Sequence, residues 1–261
     1  MMRSLFTAAT GMEAQQLKMD VISNNLANAS TVGFKRVRLE FEDLLADQLH
    51  AAAPAESEGG GDPSPLEVGL GVRTASTTRS FAQGDMLGTQ NPLDVAIQGS
   101  GFFRVQRPNG DVAYTRAGNF RVDSVGRLTT AHGELIDPPI SIPTDATAIT
   151  IQQDGTVLAS LPGQQAPQAL GALTLTVFQN PSGLQSAGDN LLLPSAASGA
   201  AQELTPGQGS AGNLAQGFLE SANVTAVQEM IDMISTQRAY ELNSKVIQTA
   251  DQMLQRLTNL R

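Results

Sequence analysis

Residues 221–261 read SANVTAVQEMIDMISTQRAYELNSKVIQTADQMLQRLTNLR, a run without Gly or Pro. Thr225 followed by Gln228 has the form of a capping box, and Asn223 is a second candidate N-cap. Beyond the cap, apolar residues recur at Val227, Ile231, Ile234, Leu242, Val246, Met253 and Leu260. Ala239, Val246, Met253 and Leu260 are spaced by sevens, which predicts a long helix carrying one apolar stripe in the manner of a coiled coil. At about 1.5 Å per residue such a helix extends roughly 50 Å. A stripe of that length needs a partner.

The other end of the chain offers one. Leu5, Met12, Met19 and Leu26 are again spaced by sevens, with Ile22 on the same side. Gly11 and Gln15 weaken this second helix, and it would not be stable alone. Its end falls at Asn28-Ala-Ser-Thr-Val-Gly33, where small polar residues and Gly mark a turn. Two readings follow for these seams. They form an ordinary two-helix core, or they form a surface that joins other copies, because few other helical segments exist to bury them. Asn28-Ala-Ser30 and Asn223-Val-Thr225 match the glycosylation sequon but read as helix-end turns and caps.

Between the helices the periodicity changes. Residues 34–50 are charged and apolar by turns and fit either helix or extended chain. Residues 51–65, AAAPAESEGGGDPSP, have the composition of a flexible linker. From Leu66 to Gly217 the chain alternates with period two, as in Leu93–Ile97, Phe102–Gln106 and Val112–Thr115. Pro108-Asn-Gly-Asp111 is a hairpin turn, and Asp123-Ser-Val-Gly126 and Asp154-Gly155 are further turns. Residues 195–212, rich in Ala, Ser and Gly, read as a return linker. The fold class is therefore α+β: long N- and C-terminal helices paired as a coiled-coil-like domain, with an inserted, mostly antiparallel β domain. The boundaries are 1–35 for the first helix, 36–65 for the connecting segment, 66–217 for the β domain and 218–261 for the second helix.

The composition excludes several functions. A net charge of −9 argues against nucleic acid and anionic membranes. No Cys and two isolated His, His50 and His132, leave no thiolate or imidazole metal site. No run of eighteen apolar residues is present. The first eight residues imitate a signal peptide, but no cleavage site follows, so removal is not expected. Gly99-Ser-Gly101 lacks the third glycine of a dinucleotide loop, and there is no P-loop, HExxH or GxSxG. Asp94, Asp111, Asp123, Glu134, Asp137 and Asp154 could supply a glycosidase pair, yet most adjoin Gly or Pro and read as turn residues. With aromatics at 4% of the chain there is little material for a sugar platform. We expect no catalytic residues, no cofactor, no metal and no small-molecule substrate.

Three sets of motifs carry a resemblance. Asp20-Val-Ile-Ser-Asn-Asn-Leu-Ala-Asn28 with Thr31-Val-Gly-Phe-Lys35 resembles the N-terminal signature of bacterial flagellar rod and hook proteins. Leu219-Glu-Ser-Ala-Asn-Val224, Met233–Lys245 and Thr249–Leu254 are similar to their C-terminal signature. Gly99–Phe103 and Tyr114-Thr-Arg-Ala-Gly-Asn-Phe120 resemble their central domain, and Phe41–Leu45 and Val68–Arg73 resemble one rod member in particular. The resemblance implies a structural subunit that stacks helically with other copies into a hollow periplasmic shaft, its terminal helices inside and its β domain outside. It implies proximal rod proteins, hook protein and basal-body rings as neighbours, and export through the flagellar type III apparatus. Phe41 and Leu45 fit the F-x-x-x-apolar pattern read at the export gate. Two competing readings are a proximal rod or hook protein of the same family, and a secreted β-rich binding module on a helical stalk.

Overall fold

The structure is a computed structural model that describes residues 2–50, 66–164 and 166–259. The chain forms two compact units. One comprises Met1–Ala27, Val37–Thr78 and Thr225–Arg261; the other comprises Asn28–Arg36 and Arg79–Val224.

In the first unit two helices, α1 (Met2–Ala27) and α2 (Ala226–Asn259), pack against each other. A Cβ added to Gly11 would fall 2.8 Å from Asn243 Nδ2, and Asn25 Nδ2 donates to Glu229 Oε2 at 3.3 Å. Advancing along α1 from the first contact to the second retreats along α2, so the pair is antiparallel. The contacting face of α2 differs from the stripe that periodicity singles out. Glu229, Thr236 and Ala250 are buried, Asn243 lies between them, and the four are spaced by sevens. Met233, Ile247 and Leu254 flank them, half-buried. Opposite lie buried Ala8, Ala14, Ile22 and Asn25 of α1. Small side chains let the helices approach closely, and the apolar stripe of α2 faces away.

The segment 34–50, ambiguous in sequence, is extended, with strands Val37–Asp43 and Asp47–His50. Val37–Asp43 pairs with Val72–Arg79, and the Leu44 amide donates to Gly71 O at 2.9 Å. This pairing draws residues 66–78 into the helical unit, whereas the sequence pattern had grouped them with the β domain. Gly71, at φ +119°, sits against Thr10, where a Cβ would come within 2.4 Å of the hydroxyl. The linker reading of residues 51–65 lies outside the described residues.

The second unit is built on antiparallel sheets. In the largest, Gln185–Gly188, Leu191–Leu193, Val112–Thr115, Phe102–Gln106, Leu135–Ile136, Leu128–Thr129 and Arg121–Val122 lie in that order. Phe102–Gln106 is its organising strand, pairing with Val112–Thr115 across the predicted hairpin. Successive side chains of a strand point to opposite faces, so Phe103 and Phe102 enter different cores. Phe103 packs edge-on against Phe120 at 4.9 Å, among Val95, Ile97, Leu128, Leu175 and Leu214. Phe102 joins Tyr114, Phe178 and Leu192 on the other face. The stretch read as a return linker contains a strand, Gln202–Leu204, that pairs with Leu175–Val177.

Candidate assembly surfaces

Of the apolar residues that the spacing selects on α2, Val227 is 68% exposed, Leu242 65%, Ile231 54%, Ile234 and Met253 51%, and Val246 45%. They recur at intervals of three, four, seven and eight residues, which place them on one side of the helix. Leu260 lies outside the described residues. On α1, Ile22 is buried, Leu5, Met12, Met19 and Leu26 are half-buried, and Phe6 and Leu17 are exposed. Fully burying an apolar side chain of this size is worth about 1.5–3 kcal/mol, so covering the exposed half of each would gain roughly half of that, which makes this side of α2 a candidate adhesive face. Phe41, within the strand Val37–Asp43, is 36% exposed, and Leu45, just beyond that strand, is 89% exposed.

Thr225 stands immediately before α2 and its carbonyl accepts the Glu229 amide at 3.0 Å, as an N-cap's does, but Gln228 does not complete the capping box. Gln228 Nε2 donates forward to Asp232 Oδ1 at 3.1 Å. Asn223 Oδ1 accepts the Arg36 amide at 2.7 Å, while its Nδ2 donates to Ser80 O and Ala82 O, each at 3.0 Å. Asn223 is thus a stitch between three chain segments of the β unit. Asn28 closes its turn by accepting from Thr31 Oγ1 at 3.2 Å.

A second cluster, missed from sequence, lies beside Asn223. Glu220, 1% exposed, accepts from Lys35 Nζ and Arg116 Nε, both at 2.6 Å, and from the Gly84 amide at 2.9 Å. Lys35 Nζ also donates to Ala82 O at 2.7 Å, and Arg116 donates to Gly101 O and Gly99 O at 2.6 and 2.5 Å. Burial pushes the Glu220 carboxyl up, but Arg116, Lys35 and the Gly84 amide outweigh it and hold it below the usual glutamate range. Burial lowers the Lys35 ammonium below the ordinary lysine range, against the pull of Glu220. Two glycines let the backbones close up here. A Cβ on Gly118 would fall 1.7 Å from Val95 O, and one on Gly33 would fall 2.8 Å from the Ala117 amide nitrogen. Only the presence of charged residues inside otherwise apolar or Gly-rich motifs could have signalled this meeting.

The carboxylates considered for glycosidic chemistry serve the local fold. Asp123 is held below the usual range by hydrogen bonds from the Arg127 side chain and amide, with a smaller contribution from the Val125 amide; Asp154 accepts from the Thr156 amide. Asp94 accepts from Asn91, Asp111 from Asn109, Glu134 from Thr130, and Asp137 pairs with Arg104.

In the β unit, residues from 28–36 and 219–224 meet at the buried Glu220 site, and in the helical unit the apolar side of α2 stays exposed. Three family models match in chain order: "Flagella basal body rod protein" over residues 5–35, "Flagellar hook protein FlgE/F/G D1 domain" over 96–159, and "Flagellar basal body rod FlgEFG protein C-terminal" over 215–260. The chain belongs to the flagellar basal-body rod and hook protein family. The flagellar basal-body rod protein FlgG of Caulobacter vibrioides is 49% identical over 261 residues, the whole of both chains. That of Borreliella burgdorferi is 43% identical over 263 residues, covering all of this chain and 99% of its own. The flagellar hook protein FlgE of Treponema pallidum is 51% identical over 128 residues, which span 49% of this chain and 27% of the hook protein.

Proposed function

We propose that this chain is the structural subunit of the distal rod of the flagellar basal body, a helical homopolymer that transmits torque to the hook. The observation that carries the reading is the exposed apolar row on α2, from Val227 to Met253, in a chain whose full-length relatives are named as basal-body rod proteins. Other copies cover that row, and α1 contributes Leu5, Met12, Met19, Ile22 and Leu26 to a coiled-coil-like core at the inside of the tube. Proximal rod proteins and the hook protein are its axial neighbours, and the basal-body rings surround it in the periplasm. The subunit reaches that place through the flagellar type III apparatus without a cleaved signal, with Phe41 and Leu45 as the export signal. A proximal rod or hook position is separated from the distal one by locating the tagged protein along purified basal bodies.

The test is Ile234→Asp with Leu242→Asp in the full chain. Both sites are more than half exposed, so monomer stability should change by no more than about 0.5 kcal/mol per site, while polymerisation and motility are lost. Rods of normal length from this variant would refute the reading. For export, Phe41→Ala should lower secretion without lowering the cytoplasmic level.

A further inference from the structure

Asn25 and Glu229 form a polar contact deep in the helical unit, 1% and 0% exposed. Asn25 is held on two sides. Its Oδ1 accepts the Val37 amide at 3.0 Å, and its Nδ2 donates to Val37 O at 2.9 Å. Its remaining amide hydrogen points to α2 and is taken by Glu229 Oε2 at 3.3 Å. The side chain cannot turn away without breaking both bonds to the strand. It therefore demands an acceptor from whichever face of α2 lies against it.

That demand has a consequence, because α2 carries two faces that could turn inward. Seating the row of Val227, Ile231, Ile234, Leu242, Val246 and Met253 on α1 would put large apolar side chains where Glu229, Thr236, Asn243 and Ala250 now lie. It would also set hydrocarbon against the Asn25 amide and leave a buried donor without a partner. The inward face supplies Glu229 instead, and two heptads on it supplies Asn243, which fits where Gly11 has no side chain.

We propose that Asn25 and Glu229 select the face and register of α2 against α1, and so hold the apolar row outward for a second copy of the chain. The second half of this inference rests on the rod reading above; the first does not. A buried polar residue that fixes register at a cost in stability is a known device in helix pairs.

The chain has no cysteine, so engineered pairs report register in the full-length protein at concentrations below polymerisation. Gly11→Cys with Asn243→Cys should cross-link, and Gly11→Cys with Leu242→Cys should not. In an N25L/E229L background the first yield should fall about fivefold or more and the second should rise, with helical circular dichroism retained. Glu229→Gln keeps an acceptor for Asn25 and should preserve the wild-type pattern. If the double replacement unfolds the chain, Asn25→Ala gives the same reading without added bulk. An 11–243 yield unchanged on removal of the polar contact would overturn the assignment. Loss of the link with polymerisation intact would overturn only its assembly half, whereas failure of the rod reading alone would leave the cross-link pattern as expected.

Discussion

Glu220 shows how a single buried carboxylate can hold distant motifs together. Lys35 and Arg116 are almost wholly enclosed with it, so removing its charge leaves two cations without their counter-charge. Glu220→Gln should destabilise the β unit by about 3–5 kcal/mol, read from urea unfolding followed by near-ultraviolet circular dichroism. The pH dependence has a definite sign. Because the folded carboxyl lies below the usual glutamate range, the unfolded chain binds more protons in the window beneath that range. The stability it contributes is therefore complete above the ordinary glutamate pKa and is lost as pH falls through the lowered one. Glu220→Gln should flatten that acid limb, and an unchanged limb would place the acid sensitivity elsewhere. Glu220 sits in Leu219-Glu-Ser-Ala-Asn-Val224, legible as a motif, but nothing local to it names Lys35 or Arg116 as its partners.

At the scale of the element, α2 has two sides with opposite tolerances. Ala250, 2% exposed, occupies the small-residue face against α1. Ala250→Leu should force the helices apart at about 1–3 kcal/mol, whereas Leu242→Ala on the outer face should be nearly silent in the monomer and costly in the polymer. Thermal unfolding of the two variants side by side separates these outcomes. The helix itself was legible from its spacing and its lack of Gly and Pro. Which side faces inward was not, since a period of 3.6 sorts residues onto faces without saying which face is covered. The strands divide likewise: Phe102–Gln106 alternates clearly, whereas Gln168–Ala172 and Gln202–Leu204 carry little apolar alternation and are strands because neighbours pair with them.

For the whole molecule, the two units call for a specific cut. Asn28–Arg36 belongs with the β unit, where the Gly33 amide donates to Glu220 O at 2.8 Å and Asn190 Nδ2 to Val32 O at 2.7 Å. A chain beginning at Asn28 should keep a folded β unit, with its near-ultraviolet signal intact, and should fail to form rods. A cut after Lys35 should lose that signal as well, because it removes one of the cations on Glu220. Native-length rods from the chain starting at Asn28 would show that α1 is not needed for assembly.

The sequence alone determined the long helices at both ends, the hairpin at Pro108–Asp111 and the alternation of the central strands. Each of these is set by residues within a few positions of one another. The tertiary structure decided that Val37–Asp43 would take Val72–Arg79 as its partner, that three charged motif residues would share one buried site, and that α2 would keep its apolar side out. Those outcomes depend on which surfaces far apart in the chain come into contact, and short-range patterns of polarity carry no record of that.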